Sequence, residues 1–289
     1  MDMTTVWSGL SVGAIYVLVA VGYNIVFLST GVFNFAQAQF LMLGTFVTYT
    51  SMVKLHLTFI VAIVAGLIIG AAVSVVEERI AIRPLQGQGQ HGELVTTLGV
   101  AVLMAGLASL VWGSDPLPVP FFGSAQALTV LDGRVLPDEL SLIALACSIA
   151  LGAELITRRT NLGLASLATA EDRIAAMLRG IDVRTLSIGS FAVAGALCVA
   201  VGPFLAPKTF ATFDLGDNLA IKGFVALAIG GFGSQKGALI GGLFTGLVEA
   251  GAARYLGAGY QTLSIFILLL AVLLVRPTGL FGEASVRAV

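Results

Sequence analysis

Charged residues are scarce in this chain, and their scarcity excludes most classes of soluble protein. Asp, Glu, Lys and Arg together make up 11% of the 289 residues, less than half of the roughly 25% that is typical of soluble domains. Hydrophobic residues reach 57%, so a water-soluble globular fold is excluded. The net charge of −1 gives no overall field that would attract nucleic acid.

Other absences limit the chemistry that the chain can perform. Cys147 and Cys198 fall in separate apolar runs without metal-ligand spacing, which predicts buried free thiols. His56 and His91 have no second histidine or carboxylate at ligand spacing, so no metal site is predicted. Since no catalytic triad or cofactor motif is present either, we expect a chain that is not an enzyme and holds no cofactor.

Long apolar runs account for most of the sequence. A membrane-spanning helix needs about 20 mostly apolar residues, and no Lys or Arg precedes Lys54, so the first run is predicted to be a membrane helix rather than a secretory signal. We therefore predict an all-α integral membrane protein, a single domain over residues 1–289, with about eight or nine transmembrane helices and some broken or re-entrant segments. The runs lie at about 6–28, 36–53, 57–76, 93–112, 139–157, 185–206, 218–233, 237–256 and 258–276.

Glycine pairs at four-residue spacing indicate close packing between these helices, because small residues one turn apart allow backbones to approach. The pairs are Gly9 and Gly13, Gly66 and Gly70, Gly237 and Gly241, and Gly242 and Gly246.

Arginine is concentrated in certain connections, which predicts the orientation of the chain. Short loops rich in Arg face the cytoplasm, and the connections at 77–92 and about 157–184 carry seven Arg residues. Arg276 and Arg287 follow the last run, so the C-terminus is predicted to be cytoplasmic. Nine spans would place the N-terminus outside, whereas eight spans, with the region of Asn34 re-entrant, would place it inside.

Polar breaks between apolar runs are candidates for a translocation path, since irregular backbone at membrane depth survives only when it is buried in protein or lines a wet cavity. Asn34, Gln37 and Gln39 form one break, and Gly230 and Gly231 belong to a second. The alternative for the three polar side chains is a structural role, namely satisfying backbone groups at the break. Transporters often contain two such broken segments with the site where they meet.

Two ionisable residues fall inside apolar runs. Burying Lys222 or Glu249 alone costs several kcal/mol, so we expect the two to pair between helices. That pair is either purely structural or changes between conformational states. Glu154 and Arg254 lie near the ends of runs and are expected to reach the headgroups.

The cytoplasmic segment 161–187 is predicted to contain a short helix on the inner membrane surface. Glu171, Asp172 and Arg173 precede an amphipathic turn, and Gly180 follows it as a stop. From the residues alone, this helix could also simply connect two spans. The candidate coupling residues are Glu171, Asp172, Arg173, Ala175, Ala176, Met177, Leu178, Arg179 and Gly180.

The run AEDRIAAMLRGID, residues 170–182, resembles the cytoplasmic coupling loop of ABC importer permeases. Specifically, it is similar to the permeases of the branched-chain amino acid transport family. The same family pattern is visible in GVFNFAQAQFLMLGTF, ERIAIRPL, KGFVALAIGGFGSQKGALIGGLFTGLVEA and RPTGLFG. The family commonly has histidine and glycine after Asn-Phe-Ala, where this chain has Gln37 and Ala38, and this departure bears on the substrate rather than the fold.

This resemblance implies a permease subunit in the bacterial cytoplasmic membrane, importing a branched-chain or related amino acid that an extracytoplasmic solute-binding protein delivers. It also implies a second, related permease subunit and two ATP-binding subunits that hold ATP and Mg²⁺. A coupling loop at about 158–184 would contact those subunits. Because this chain has no Walker A motif, hydrolysis is expected on the partners.

Two alternatives remain from the sequence. A secondary transporter or channel that needs no ATPase would suit the broken helices equally well. An ABC importer for urea, amides or small organic acids would share the same family pattern.

Overall fold

Twelve α-helices make up most of the described structure, a computed structural model that describes residues 2–85, 90–123 and 126–282. Each predicted apolar run coincides with one helix or with two consecutive helices, in the same order along the chain. The helices are α1 Met3–Thr30, α2 Gln37–Thr48, α3 Phe59–Glu77, α4 Gln90–Trp112, α5 Pro137–Arg159, α6 Asn161–Glu171, α7 Arg173–Leu178, α8 Val183–Ala200, α9 Gly202–Thr209, α10 Leu215–Gly230, α11 Gln235–Tyr255 and α12 Gln261–Val275.

Two helices continue as π-helix, α2 through Tyr49–Lys54 and α3 through Glu78–Ile82. Strands β1 (Leu128–Val130) and β2 (Gly133–Val135) form an antiparallel hairpin. Its two turn residues, Leu131 and Asp132, have φ of 52° and 60°, as a tight two-residue hairpin turn requires.

Six helices in the described residues are long and apolar enough to cross a membrane, namely α1, α3 with its π-helical extension, α4, α5, α8 and α12 with the turn before it. The pair α10 and α11 passes the same test together but bends by 120° at its break; if it is taken as one broken span, the described residues contain seven candidate spans. The chain is therefore a multi-pass, predominantly helical membrane protein. The predicted total of eight or nine spans is not established by this count.

The chain divides into two compact units. Unit 1 comprises the described parts of 1–24, 125–154 and 221–289, and unit 2 comprises those of 25–124 and 155–220. Each unit is assembled from separate stretches of sequence.

Glycines bring helix backbones together inside unit 1. A Cβ at Gly13 of α1 would lie 2.8 Å from the Cα of Leu243 on α11, and one at Gly242 would lie 2.7 Å from the backbone nitrogen of Val17. Because backbone atoms cannot yield as a flexible side chain can, α1 and α11 pack at a distance that only glycine permits.

Unit 2 uses the same device between α3 and α8. A Cβ at Gly66 would lie 2.9 Å from the Cα of Ala200, and one at Gly70 would lie 2.9 Å from the Cβ of Val199. The hydroxyl of Ser74 donates a hydrogen bond of 2.6 Å to the carbonyl of Phe191, which adds a polar contact to this close helix pair.

Candidate functional site

The predicted surface helix is α7, and its ends are fixed by local hydrogen bonds. A carboxylate oxygen of Asp172 accepts from the backbone N–H groups of Ile174 and Ala175, each at 2.9 Å, which is an N-cap. At the other end Gly180 has φ +86°, and its N–H donates to Met177 while Ile181 donates to Ala176. These two bonds form a Schellman motif. Both ends of α7 are therefore fixed by hydrogen bonds among residues within the helix or next to it.

The extent of this helix differs from the prediction. Glu171 is the last residue of α6 rather than the start of the surface helix, and the break falls at Asp172 because its side chain caps α7 instead of continuing α6. Arg173 lies within electrostatic reach of Glu93 on α4, which ties the start of α7 to a long helix of unit 2.

One face of α7 is apolar and uncovered. The side chains of Ile174, Met177 and Leu178 are 68%, 49% and 85% exposed, whereas Ala176 is buried. Ala175 is half-buried, and Arg179 and Gly180 are exposed beside this face. Exposed large apolar side chains on a polar loop are typical of an interaction surface.

The helix that follows is capped in the same way. Asp182 accepts from the backbone N–H groups of Arg184 and Thr185 at 3.1 Å and from the hydroxyl of Thr185 at 2.5 Å. The hydrogen bonds from Thr185, its hydroxyl first, hold the pKa of Asp182 below its ordinary value. An aspartate side chain therefore caps the N-terminus of both α7 and α8.

The first polar break is buried inside unit 2. The amide nitrogen of Asn34 donates to Glu77 at 3.1 Å, and its oxygen accepts from the backbone N–H of Ala36 at 3.0 Å. The second of these contacts fits the structural alternative for Asn34, because it satisfies a backbone group at the break.

The two glutamines reach side chains of other helices. The amide of Gln37 donates to the sulfur of Cys198 at 3.2 Å, and that of Gln39 donates to Asp217 at 2.6 Å. The side-chain oxygens of Gln37 and Gln39, and the carboxylate oxygen of Glu77 that Asn34 does not contact, are buried and accept no hydrogen bond from the described residues. The side chains of Asn34, Gln37 and Gln39 are thus buried within the chain, and their place on a translocation path stays a prediction.

The second break lies at the turn from α10 to α11. Gly231 has φ +102°, and the segment after α12 binds this turn through backbone hydrogen bonds from Leu280 to Ile229 at 2.8 Å and from Phe281 to Gly230 at 2.9 Å. A Cβ at Gly231 would lie 2.7 Å from the Cα of Gly282. Gly230 and Gly231 therefore hold a close backbone contact.

Lys222 of α10 and Glu249 of α11 lie together in unit 1, with 2.6 Å between Nζ and Oε1. The hydroxyl of Tyr16 on α1 donates to the other carboxylate oxygen, and the Lys222 ammonium also lies 5.8 Å from the centre of the Tyr16 ring. The side chains of Lys222 and Glu249 are 23% and 8% exposed. All three members of this cluster have partners.

Sequence reasoning did not find Tyr16 or Glu77 as members of these clusters. A tyrosine in an apolar run looks like any other large core residue, and Glu77 stands at the edge of a polar loop. Glu154 was expected at the headgroups, but its side chain is 9% exposed and lies 3.6 Å from Lys236. Arg254 is mostly exposed near Asp2. Among the residues that the structure describes, no group of three His, Cys, Asp or Glu side chains could hold a metal ion.

Long apolar helices, polar breaks between them and an uncovered amphipathic helix define a membrane transport protein. The chain belongs to the family of branched-chain amino acid transport system permease components, whose sequence pattern matches residues 5–275.

Three relatives match most of the chain. The high-affinity branched-chain amino acid transport system permease protein BraD of Pseudomonas aeruginosa is 30% identical, over 98% of this chain and 96% of its own length. LivH of Escherichia coli, with the same description, is 29% identical over the same shares. The probable permease LivH of Methanocaldococcus jannaschii is 27% identical over 92% and 88%. A solved structure of PsaBC from Streptococcus pneumoniae overlays with a TM-score of 0.49 at 15% identity, covering 96% of this chain and 92% of that one.

Proposed function

We propose that this chain is the permease subunit of an ATP-driven importer for branched-chain or related amino acids, supplied by an extracytoplasmic solute-binding protein. Membership of the permease family and the names of the three relatives support this proposal. The chain itself binds no nucleotide in this scheme. ATP and Mg²⁺ are held by two partner subunits, and a second, related permease subunit completes the membrane part.

The observation that carries the proposal is the uncovered apolar face of α7. Ile174 and Leu178 are more than two-thirds exposed on a six-residue helix whose two ends are capped by its own sequence. A rigid helix with an apolar face and flanking arginines suits docking into a groove of another protein. Force from ATP hydrolysis would enter the membrane domain through this helix, within a coupling loop at about 158–184.

Nine crossings are the topology that we propose, with the start of α1 outside and the end of α12 in the cytoplasm of a bacterial cell. The 120° bend between α10 and α11 favours two crossings rather than one. The helical stretch from Gln37 to Lys54 supplies another. The arginine residues that follow α3 and end α5 indicate that these two helix ends face the cytoplasm.

Single cysteines at Asp132 and Arg158 should react with an impermeant maleimide only from outside and only from inside, respectively.

Hydrogen bonds within unit 1 also support the proposal that the start of α1 lies outside. The indole N–H of Trp7 donates to Val130 at 3.2 Å, and the backbone N–H of Arg134 donates to the Thr4 hydroxyl at 3.1 Å. Both partners belong to the β-hairpin between α4 and α5.

Since α1 contributes residues to both units, we propose that the two units form one permease domain.

Co-purification tests the docking role of α7. The permease is tagged and co-expressed with its ATP-binding subunit, and the retained subunit is quantified. Ile174→Glu and Leu178→Glu should each reduce it by at least about tenfold, because a charge replaces an apolar contact at the centre of the interface.

Leu131→Glu provides the matched control, since Leu131 is 71% exposed but lies in the β-hairpin turn. It should leave retention unchanged. Full retention by both α7 variants would refute the docking role of this helix.

A further inference from the structure

Helices α3 and α8 of unit 2 are in contact along four successive turns. The contacting residues follow one another in opposite directions along the chain, so the pair is antiparallel. They are Gly66, Gly70, Ser74 and Glu78 on α3 and its π-helical extension, which face Ala200, Gly195, Phe191 and Ser187 of α8, respectively. The first two contacts bring backbones together at glycine, and the last two are side-chain hydrogen bonds. Because every turn is engaged, α8 cannot slide along α3 without breaking several contacts at once.

Glu78 makes the contact at the end of this helix pair. Its side chain is 1% exposed. One carboxylate oxygen accepts from the hydroxyl of Ser187 at 3.1 Å, and the other accepts from the guanidinium of Arg83 at 2.9 Å. A buried carboxylate that loses such partners is left uncompensated, which is strongly unfavourable. Glu78 therefore fixes the second turn of α8 to the end of α3.

The start of α8 is joined to the docking helix α7 by a hydrogen-bonded turn. Four backbone N–H groups of this turn donate to residues of the same segment, namely those of Arg179, Gly180, Ile181 and Val183. The side chain of Asp182 then caps α8. Because the turn is held by its own hydrogen bonds, a displacement of α7 carries the start of α8 with it.

The end of α3 also contacts the first polar break. Glu77 directly precedes Glu78, and its carboxylate accepts from the amide of Asn34 at 3.1 Å. Consecutive residues of a helix point in different directions. The end of α3 therefore holds α8 through Glu78 and the polar break through Glu77.

We propose that α7, α8 and α3 move as one rigid body, and that Glu78 is the positioning residue that ties α8 to α3 through Ser187. Movement of α7 during ATP hydrolysis then reaches the break at Asn34 through Glu77. This inference rests on the proposed function, since it assigns residues of this chain to the transmission of force from the ATP-binding subunits.

The ratio of amino acid imported to ATP hydrolysed tests the proposal. The complete transporter is reconstituted in lipid vesicles with its solute-binding protein and a mixture of radiolabelled amino acids. Ser187→Ala removes the contact with α8 but leaves the pair of Glu78 and Arg83 intact, and it should lower the ratio at least about threefold. The amount of co-purified ATP-binding subunit should not change, because the docking face of α7 is unaltered. A purely structural role of Ser187 would lower the yield of assembled transporter and leave the ratio unchanged.

Ser29→Ala is the matched control. Ser29 is buried in the same unit, and its hydroxyl donates to carbonyl groups of its own helix, those of Val26 at 3.0 Å and Ile25 at 3.3 Å. Removing this hydroxyl breaks no contact between helices, so the ratio of import to hydrolysis should stay at the level of the unaltered transporter.

A double variant tests whether Glu78 and Ser187 act through their shared hydrogen bond. Glu78→Ala should lower the ratio, and adding Ser187→Ala should lower it no further, because both changes remove the same contact. If Glu78→Ala fails to assemble, Ser187→Ala and its control still decide the question.

Spin labels on α3 and α8 test the rigid body directly. Val76 and Val193 are 53% and 51% exposed, so both positions accept a label without disturbing the packed face. The distance between the labels, measured by double electron–electron resonance, should be the same in the resting transporter and in the transporter trapped with ATP and vanadate. A shift larger than the width of the distance distribution would show that the two helices move separately.

The outcomes separate this inference from the proposed function. If the transporter imports amino acids but Ser187→Ala keeps the normal ratio, or if its effect adds fully to that of Glu78→Ala, the positioning role is refuted and the importer stands. If the complete transporter imports no labelled amino acid, the proposed function itself fails.

Discussion

The polar clusters of unit 1 and unit 2 differ in how completely their buried carboxylates are hydrogen-bonded. In unit 1, both oxygens of Glu249 have donors, Lys222 and Tyr16. In unit 2, one oxygen of Glu77 accepts from Asn34, while its other oxygen accepts nothing from the described residues. The first cluster is a compensated ion pair, whereas the second contains a carboxylate with a single amide donor.

This contrast shows that a polar residue in an apolar run has no fixed meaning. An unsatisfied acceptor in a membrane interior costs free energy, whereas a paired charge costs less than the sum of its two members. We expect the cluster of unit 1 to stabilise the arrangement of α1, α10 and α11, and the cluster of unit 2 to be held in place by the surrounding packing. The following substitutions test that difference.

The largest effect is expected when one member of the ion pair is removed. Lys222→Leu leaves the Glu249 carboxylate buried without its cation and should lower the free energy of unfolding by about 3 kcal/mol. The double variant with Glu249→Leu should recover at least half of that loss, because no charge remains. Unfolding by sodium dodecyl sulfate in mixed micelles measures both. Single effects that simply add in the double variant would mean that the two side chains are not coupled.

The same conservative change should have opposite signs in the two clusters. Glu77→Gln replaces a buried carboxyl group for which the described residues provide an amide donor but no ion-pair partner, and should raise the free energy of unfolding by about 1 kcal/mol. Glu249→Gln breaks the contact with Lys222 and should lower it by about 2 kcal/mol. The same micelle titration compares them. If both variants lose stability equally, the second carboxylate oxygen of Glu77 has a hydrogen-bond donor after all, and the proposed difference between the two clusters is refuted.

The smallest effect is expected for the exposed ion pair between Arg254 and Asp2. Arg254 and Asp2 are 3.5 Å apart, and their side chains are 62% and 68% exposed. Water screens such pairs, so Arg254→Gln should change the free energy of unfolding by less than about 0.5 kcal/mol. A loss as large as that of Lys222→Leu would show that burial is not what distinguishes the two pairs.

Much of the fold follows from apolar runs and glycine spacing. The run predicted at 93–112 is α4, and that at 237–256 is α11, because a helix that must satisfy its backbone in lipid needs an uninterrupted apolar stretch. Gly13 and Gly242 face neighbouring backbone, as their spacing indicated. The number of spans did not follow, since the 16 residues of α10 are too few to distinguish a crossing from a re-entrant segment by composition.

The candidate site was predictable to a different degree in each part. The stop at Gly180 follows from local sequence, because an N-cap and a Schellman motif involve residues a few positions apart. The position of Glu171 at the end of α6 was missed, since three adjacent polar residues, 171–173, offer more than one place for the helix to begin. Tyr16 was missed because its partner lies 233 positions away.

The sequence alone determined that lipid surrounds this chain, where its helices run and which short helix carries its own caps, since these depend on composition and on contacts within a few residues. Only the tertiary structure decided that Glu249 has two donors and Glu77 one, and that the glutamines after Asn34 point into the protein. Those outcomes depend on which helices pack against each other and on how far each is shifted along its axis relative to its neighbour. A period of 3.6 residues fixes a face of each helix but not its neighbour.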